Sequence, residues 1–414
     1  MDFFHHIYRD YCKGDNGVWI VYMLLTYISI IGVFSASSAL TFETGEYLIP
    51  IRNHSITVLL GLCMVLGVQH IPVRIFRLIP WVVLPVAVVL LVAVMVKGMV
   101  SESRVNDAAR WIFGFQPSEL GKMGLVGAVA YIMSKYRTVD GCSDRALKPI
   151  LIISAVVLGL IAPENGSTAC LLAAVVYLMM FIGGIPTRQM VKFTCIGGLL
   201  VGLGLTALIT VPPSAYKEIP GTHRFVTWRN RILEFADPME IPASAYYTDK
   251  TAQRAHANIA IASSHIIGKG PGNSAQRDFI SHGYSDFIYA IIIEETGLLG
   301  GLFIIYLYIV LMIRVGRIAK KCKYPYQALL VTGLTLLLVG QAMMHMMVSV
   351  GLFPVTGQPL PLVSKGGTAI LAYCCYIGII LSVSRSVERK ESIEKENITE
   401  NIGLPQGVSK EEAG

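Results

Sequence analysis

Long, mostly apolar runs recur along the chain, separated by short polar stretches. A helix that crosses a bilayer needs about 20 mostly apolar residues. Ten runs fit that reading: 18–36, 56–72, 79–97, 118–134, 149–163, 167–185, 190–211, 285–313, 326–352 and 366–384. Runs 149–163 and 167–185 are short, and Pro163-Glu164-Asn165-Gly166 separates them. The first run outlasts the 7–15 residues of a signal-peptide core, so it reads as an uncleaved first span.

The polar stretches give the runs a direction. With the N-terminus inside, alternate segments carry Arg9 and Lys13; Arg74 and Arg77; Lys135, Arg137, Arg145 and Lys148; Arg188 and Lys192. They continue with Arg314, Arg317, Lys320, Lys321 and Lys323, then Arg385, Arg389 and Lys390. Every predicted cytoplasmic segment is basic, as the positive-inside rule requires. A shift of one span breaks the pattern, so both termini are expected in the cytoplasm. The predicted organisation is a cytoplasmic N-terminus (1–17), a ten-helix membrane domain (18–384) and a disordered cytoplasmic tail (385–414). Two outer segments remain, about 98–117 and 212–284. The second far exceeds an ordinary connection. Its aromatic and charged residues, and a possible amphipathic helix over 252–267 lying at the interface, predict a folded cap.

Composition agrees. The 414 residues are 54% hydrophobic, with 39 glycines uncounted, and only 15% charged. A soluble domain carries roughly 25% charged residues, so an ordinary soluble enzyme is excluded. The net charge of +7 is modest for a nucleic-acid binder. The eight cysteines show neither CxxC nor Cys/His metal spacing and read as small apolar core residues. Gly268-Lys269-Gly270-Pro271-Gly272 does not match a phosphate-binding loop.

With so few charges, those near span ends become candidates. Asp286 stands where the long loop enters the eighth span, a place suited to a general base or to an N-cap. Glu294 and Glu295 lie deeper. On a straight helix Glu294 shares the face of Asp286 and Glu295 is nearly opposite, and a structural salt bridge suits either as well as catalysis does. Pro117-Ser118 starts a helix, with Glu119 in its first turn and Lys122 on the same face. This is either an internal ion pair or a cation held for a phosphate. Trp111 reads as an interfacial belt residue or a platform for a sugar. The Pro/Gly run Gly351–Thr368 cannot continue a helix, and at membrane depth must lie against protein or a water-filled cavity.

Three motifs together resemble the SEDS family (shape, elongation, division and sporulation), whose members include RodA, FtsW and SpoVE. Arg110-Trp111 with Gln116-Pro117-Ser118-Glu119 and Lys122 is the first. Ser285-Asp286-Phe287-Ile288 with Glu294-Glu295-Thr296-Gly297 is the second, and Gly351–Gly367 the third. The likeness covers roughly 15–385 and is strongest to the FtsW, division-type members. Departures occur at Asn53, at Pro163–Ser167, and at His345 and Lys365, where the family usually has Asn and Tyr.

The resemblance implies an all-helical polytopic fold and a peptidoglycan glycosyltransferase that polymerises lipid II. It makes Asp286 the essential acid. It places Arg52, Arg110, Trp111, Glu119, Lys122, Arg231, Gln341 and Ser364 in the cavity or its support, beside Glu294 and Glu295. It implies no metal bound by the protein, though a divalent cation (Mg or Mn) could accompany the pyrophosphate. The partners it implies are lipid II, the growing glycan strand, a class B penicillin-binding protein and other division or elongation proteins, at the septum of a bacterial plasma membrane. A lipid II flippase, a recruiting scaffold and an elongation-type polymerase are the alternatives.

Overall fold

The computed structural model describes residues 13–37, 48–100, 115–139, 141–211, 228–233, 249–280 and 283–402. Within them each apolar run becomes a long helix. These are α1 (Asn16–Ala36), α2 (Leu48–His70), α3 (Leu84–Val100), α4 (Pro117–Lys135), α5 (Leu147–Ile161), α6 (Gly166–Ile182) and α7 (Thr187–Thr210). A shorter helix, α8 (Asp249–Ala262), precedes α9 (Ile288–Lys321), α10 (Pro325–Ser349) and α11 (Thr368–Ile402). Among the described residues, seven helices are long and apolar enough to cross a membrane by length and composition. Of the other three long ones, α4 carries buried charges, and α5 and α6 run only 15 and 17 residues.

Local chemistry sets the helix ends. Asp15 caps α1, its carboxylate accepting from Val18 N at 3.0 Å. Proline suits the first position of a helix, where its missing N–H is not needed, and α4 begins at Pro117. Asn165 caps α6 by accepting from Thr168 N at 3.3 Å, which makes the break between the two short runs a true turn.

Helix α4 is buried along almost its whole length and packs against α3, α5, α6 and α10. Helix α11 runs along α2, and α1 lies against α9. Helix α7 differs: only Met190 and Leu208 are buried. A helix apolar on all sides and uncovered by protein is suited to a lipid environment.

The bundle has two distinct ends. At one, Arg314 lies 3.6 Å from Asp15, Lys321 pairs with Glu391 at 3.0 Å, and Arg77 and Lys390 flank the Tyr324 ring. At the other, the turn at 283–287 and the Pro/Gly run meet the ends of α1, α2, α6 and α10.

Two expectations need correction. The helix expected over 252–267 stops at Ala262 and packs on α9, with Ala257 clustered with Ile280, Phe287 and Ile291. Its small residues allow close contact with α9. The segment from 385, expected to be disordered, is helical through Ile402. Ser384 and Glu388 one turn apart and the Lys321–Glu391 pair extend α11 beyond its apolar part.

Candidate functional site

The helix that carries the second motif is broken. Gly297 adopts φ 76°, ψ −178°, a conformation open to glycine and very little else. The segment 265–270 fills the break. His265 O and Ile266 O accept from Leu298 N and Leu299 N at 3.2 and 3.3 Å, while Lys269 N and Gly270 N donate to Glu294 O and Glu295 O at 3.0 and 2.8 Å. A Cβ on Gly297 would stand 2.1 Å from Ile266 O, so the two backbones touch directly.

The acid pair belongs to this junction. Buried Glu294 accepts from Lys269 Nζ at 2.6 Å, Ala275 N at 3.1 Å, Gln276 N at 3.3 Å and the Ser274 hydroxyl. Glu295 accepts from the Ser35 hydroxyl, and Arg277 donates to Ser35 Oγ at 3.1 Å and to Gly272 O at 2.8 Å. Both acids therefore clamp the loop at 269–277. The straight-helix argument set their faces relative to Asp286, and it does not apply because Asp286 lies in the turn before the helix, which begins at Ile288. Lys269 and the glycines beside it form part of the clamped loop, a role that phosphate-loop spacing could not reveal.

Asp286 is half-buried in the turn just before α9. The helix cap is Phe287, which makes no side-chain bond, so the N-cap reading of Asp286 is excluded. Asp286 Oδ1 accepts from Ser285 Oγ at 3.0 Å. A Cβ on Gly357 (φ 65°) would lie 3.5 Å from Asp286 Oδ2, so the Pro/Gly run passes alongside the carboxylate.

That run is a strap fastened at many points. His345 Nδ1 donates to Gln358 O at 2.7 Å, and Gln358 Nε2 donates to Asn165 Oδ1 at 3.1 Å and to Thr168 Oγ1 at 2.5 Å. Gln341 Nε2 donates to Pro359 O at 3.1 Å, the Tyr308 hydroxyl to Pro361 O, and Ser29 Oγ to Val363 O at 2.7 Å. Ser364 Oγ accepts from Leu360 N and donates to Ser285 O, both at 2.8 Å, and Lys365 N donates to Tyr284 O at 3.1 Å. Irregular backbone at membrane depth needs such partners, and here α1, α6, α9, α10 and the Asp286 turn supply them.

The first motif supports the strap from below. Lys122, 1% exposed, pairs with Glu119 at 2.8 Å and donates to Gln341 Oε1 at 3.0 Å. The Tyr373 ring lies 5.7 Å from the ammonium, and Tyr376 donates its hydroxyl hydrogen to Glu119 O at 3.2 Å. The internal ion pair is therefore the reading the structure supports. It holds Gln341, and through it Pro359.

The candidates thus fall into three groups. Asp286 and Ser364 meet at the turn, Glu119, Lys122 and Gln341 lie beneath the strap, and Glu294 and Glu295 hold the loop. Arg52 is exposed near the start of α2. Arg231 is half-buried in the short helical stretch 228–233, where Trp228 packs on Gly166 at the start of α6. Arg110 and Trp111 lie outside the described residues. Reasoning from the residues missed His54 and Gln358. His54 is 2% exposed and bonds Ser29 Oγ at 2.9 Å. A lone His and a Gln inside apolar or Pro/Gly runs were the available signals.

Fold and site together define a multi-pass helical membrane protein with one carboxylate held at a membrane-end strap. Residues 15–389 match the FtsW/RodA/SpoVE family, described as cell cycle proteins, and the chain belongs to that family. It is 31% identical over 387 residues to the probable peptidoglycan glycosyltransferase FtsW of Hahella chejuensis, covering 91% of each chain. The protein of the same name from Pseudomonas fluorescens is 28% identical, over 86% of this chain and 84% of its own. Among solved structures, the fold is similar to a chain of a peptidoglycan synthase complex (TM-score 0.69, 23% identity, 90% of this chain and 98% of that one). It is also similar to the rod shape determining protein RodA of Thermus thermophilus (TM-score 0.61, 20% identity, 90% and 97%).

Proposed function

We propose that this protein is a peptidoglycan glycosyltransferase that polymerises lipid II. The observation that carries the reading is Asp286, a half-buried carboxylate fixed between Ser285 and Gly357 at the mouth of the bundle. In the proposed reaction, Asp286 takes the proton of the acceptor GlcNAc 4-hydroxyl as that oxygen attacks the anomeric carbon of the donor. The bond to the polyprenyl pyrophosphate breaks, and the anomeric centre inverts without a covalent intermediate. Cationic groups at the site stabilise the departing pyrophosphate. Among the described residues no group of three or more His, Cys, Asp or Glu could hold a metal ion. A Mg or Mn ion, where the reaction uses one, would accompany the pyrophosphate of the substrate.

The same reading places the Asp286 end outside the cytoplasm and both termini inside. The basic residues at the opposite end support it: Arg77, Arg314, Lys321 and Lys390 all gather there. The likeness to FtsW-named relatives favours division, with action at the septum beside a class B penicillin-binding protein. Purified protein, with and without a cognate transpeptidase, is given labelled lipid II in detergent. Glycan polymer supports the enzyme. Lipid II moved across vesicle leaflets without polymer identifies a flippase instead.

A further inference from the structure

We infer that Lys365 is the residue that binds the diphosphate of the donor, an inference that rests on the glycosyl-transfer reading above. Lys122 would be the obvious cation, since it sits in the first motif. It is buried against Glu119, and Lys269 is likewise matched to Glu294. Arg277 reaches Ser35, which in turn bonds Glu295, and it has Asp278 at 3.7 Å. Each of these cations already faces an acid.

Lys365 differs. Among the described residues no carboxylate lies within 4.0 Å of its amine. Its backbone is fixed to Tyr284 O, and its ammonium stands 5.2 Å from the centre of the Tyr284 ring. The neighbouring Ser364 bonds Ser285 O. The amine is therefore held at the junction that also fixes Asp286, two residues along the turn from Tyr284. Burial pushes its pKa down, as expected of a cation that has lost water without gaining an anion.

A second group at this junction also lacks a partner. The Ser29 hydroxyl gives its hydrogen to Val363 O, so it can only accept from His54 Nε2. That leaves His54 Nδ1 a buried acceptor with no hydrogen-bond partner among the described residues. The link to Lys365 is geometric: Val363, two residues before it, accepts from the same Ser29 that bonds His54. An amine that needs an anion beside an imidazole nitrogen that needs a donor is matched by a sugar diphosphate. Its phosphoryl oxygens answer the amine, and its O–H or N–H groups answer the imidazole.

The test is binding of farnesyl pyrophosphate, inorganic pyrophosphate and farnesol to the purified full-length protein in detergent. Lys365→Gln is expected to weaken farnesyl pyrophosphate binding about tenfold or more, the loss of one charge-assisted contact. Lys365→Arg should stay within about threefold of wild type, because the charge remains. Farnesol, with the same tail and no charge, should bind all three proteins alike. The same Lys365 dependence with inorganic pyrophosphate shows that the diphosphate alone is read. Dependence with farnesyl pyrophosphate only shows that the tail is needed as well. Equal farnesyl pyrophosphate binding by wild type and Lys365→Gln overturns the inference, as does a parallel fall in farnesol binding. Asp286→Asn should still bind farnesyl pyrophosphate. Failure of the diphosphate site is thereby separated from failure of the polymerase reading.

Discussion

At the scale of single residues, the decisive contrast is between Lys122 and Lys365. Lys122 matches a family motif and Lys365 departs from one; the first is neutralised in the core, and the second faces no acid among the described residues. The spacing of Glu119 and Lys122 predicts that they meet. It does not reveal that Gln341, more than two hundred residues away, accepts a second hydrogen bond from the ammonium. Removing one member of a buried pair leaves an uncompensated charge, at a cost of about 3–5 kcal/mol. Lys122→Met should therefore lower the melting temperature sharply. The double variant Glu119→Gln/Lys122→Met should recover much of the loss, since it buries no lone charge. Thermal unfolding in detergent checks both. Asp286 shows the same limit of sequence reading. Its position was legible, but its relation to α9 depends on the helix starting at Ile288, which hydropathy alone does not fix.

At the scale of elements, the broken helix α9 is the least legible part of the fold. Its apolar run is continuous across Gly297, and nothing in hydropathy announces a second segment filling the break. The signal was the glycine itself, together with Gly268, which touches the same junction. A side chain at Gly297 meets both an unfavourable φ and the Ile266 carbonyl, and the backbone strain alone is on the order of 1–3 kcal/mol. Gly297→Ala is expected to loosen the loop at 265–277. Hydrogen exchange at Lys269 N and Gly270 N should rise more than exchange within α4. Uniform protection in both proteins would show that the junction is not held by this crossing. The continuation of α11 to Ile402 was missed for the opposite reason: its polar residues look like a tail until Lys321 of another helix pairs with Glu391.

At the scale of the whole molecule, the spans were the most legible feature. Apolar runs and alternating basic loops together recover the ten long helices, including α4, which its buried charges hide from a test of length and hydropathy alone. The positive-inside pattern also makes a prediction about orientation. Green fluorescent protein fused to the C-terminus should fluoresce, and alkaline phosphatase fused after Asp278 should be active. The reverse result would invert the molecule and place Asp286 in the cytoplasm, away from the proposed reaction.

The central claim is that Asp286 is the base of a lipid II polymerase. The most direct measurement compares wild type with Asp286→Asn, which keeps the shape of the side chain and removes its charge. Both purified proteins are given labelled lipid II and the cognate transpeptidase, and glycan length is read on a gel. The account predicts polymer from wild type and a fall of at least about a hundredfold for Asp286→Asn, with the melting temperature unchanged. Equal polymer from the two proteins would contradict it.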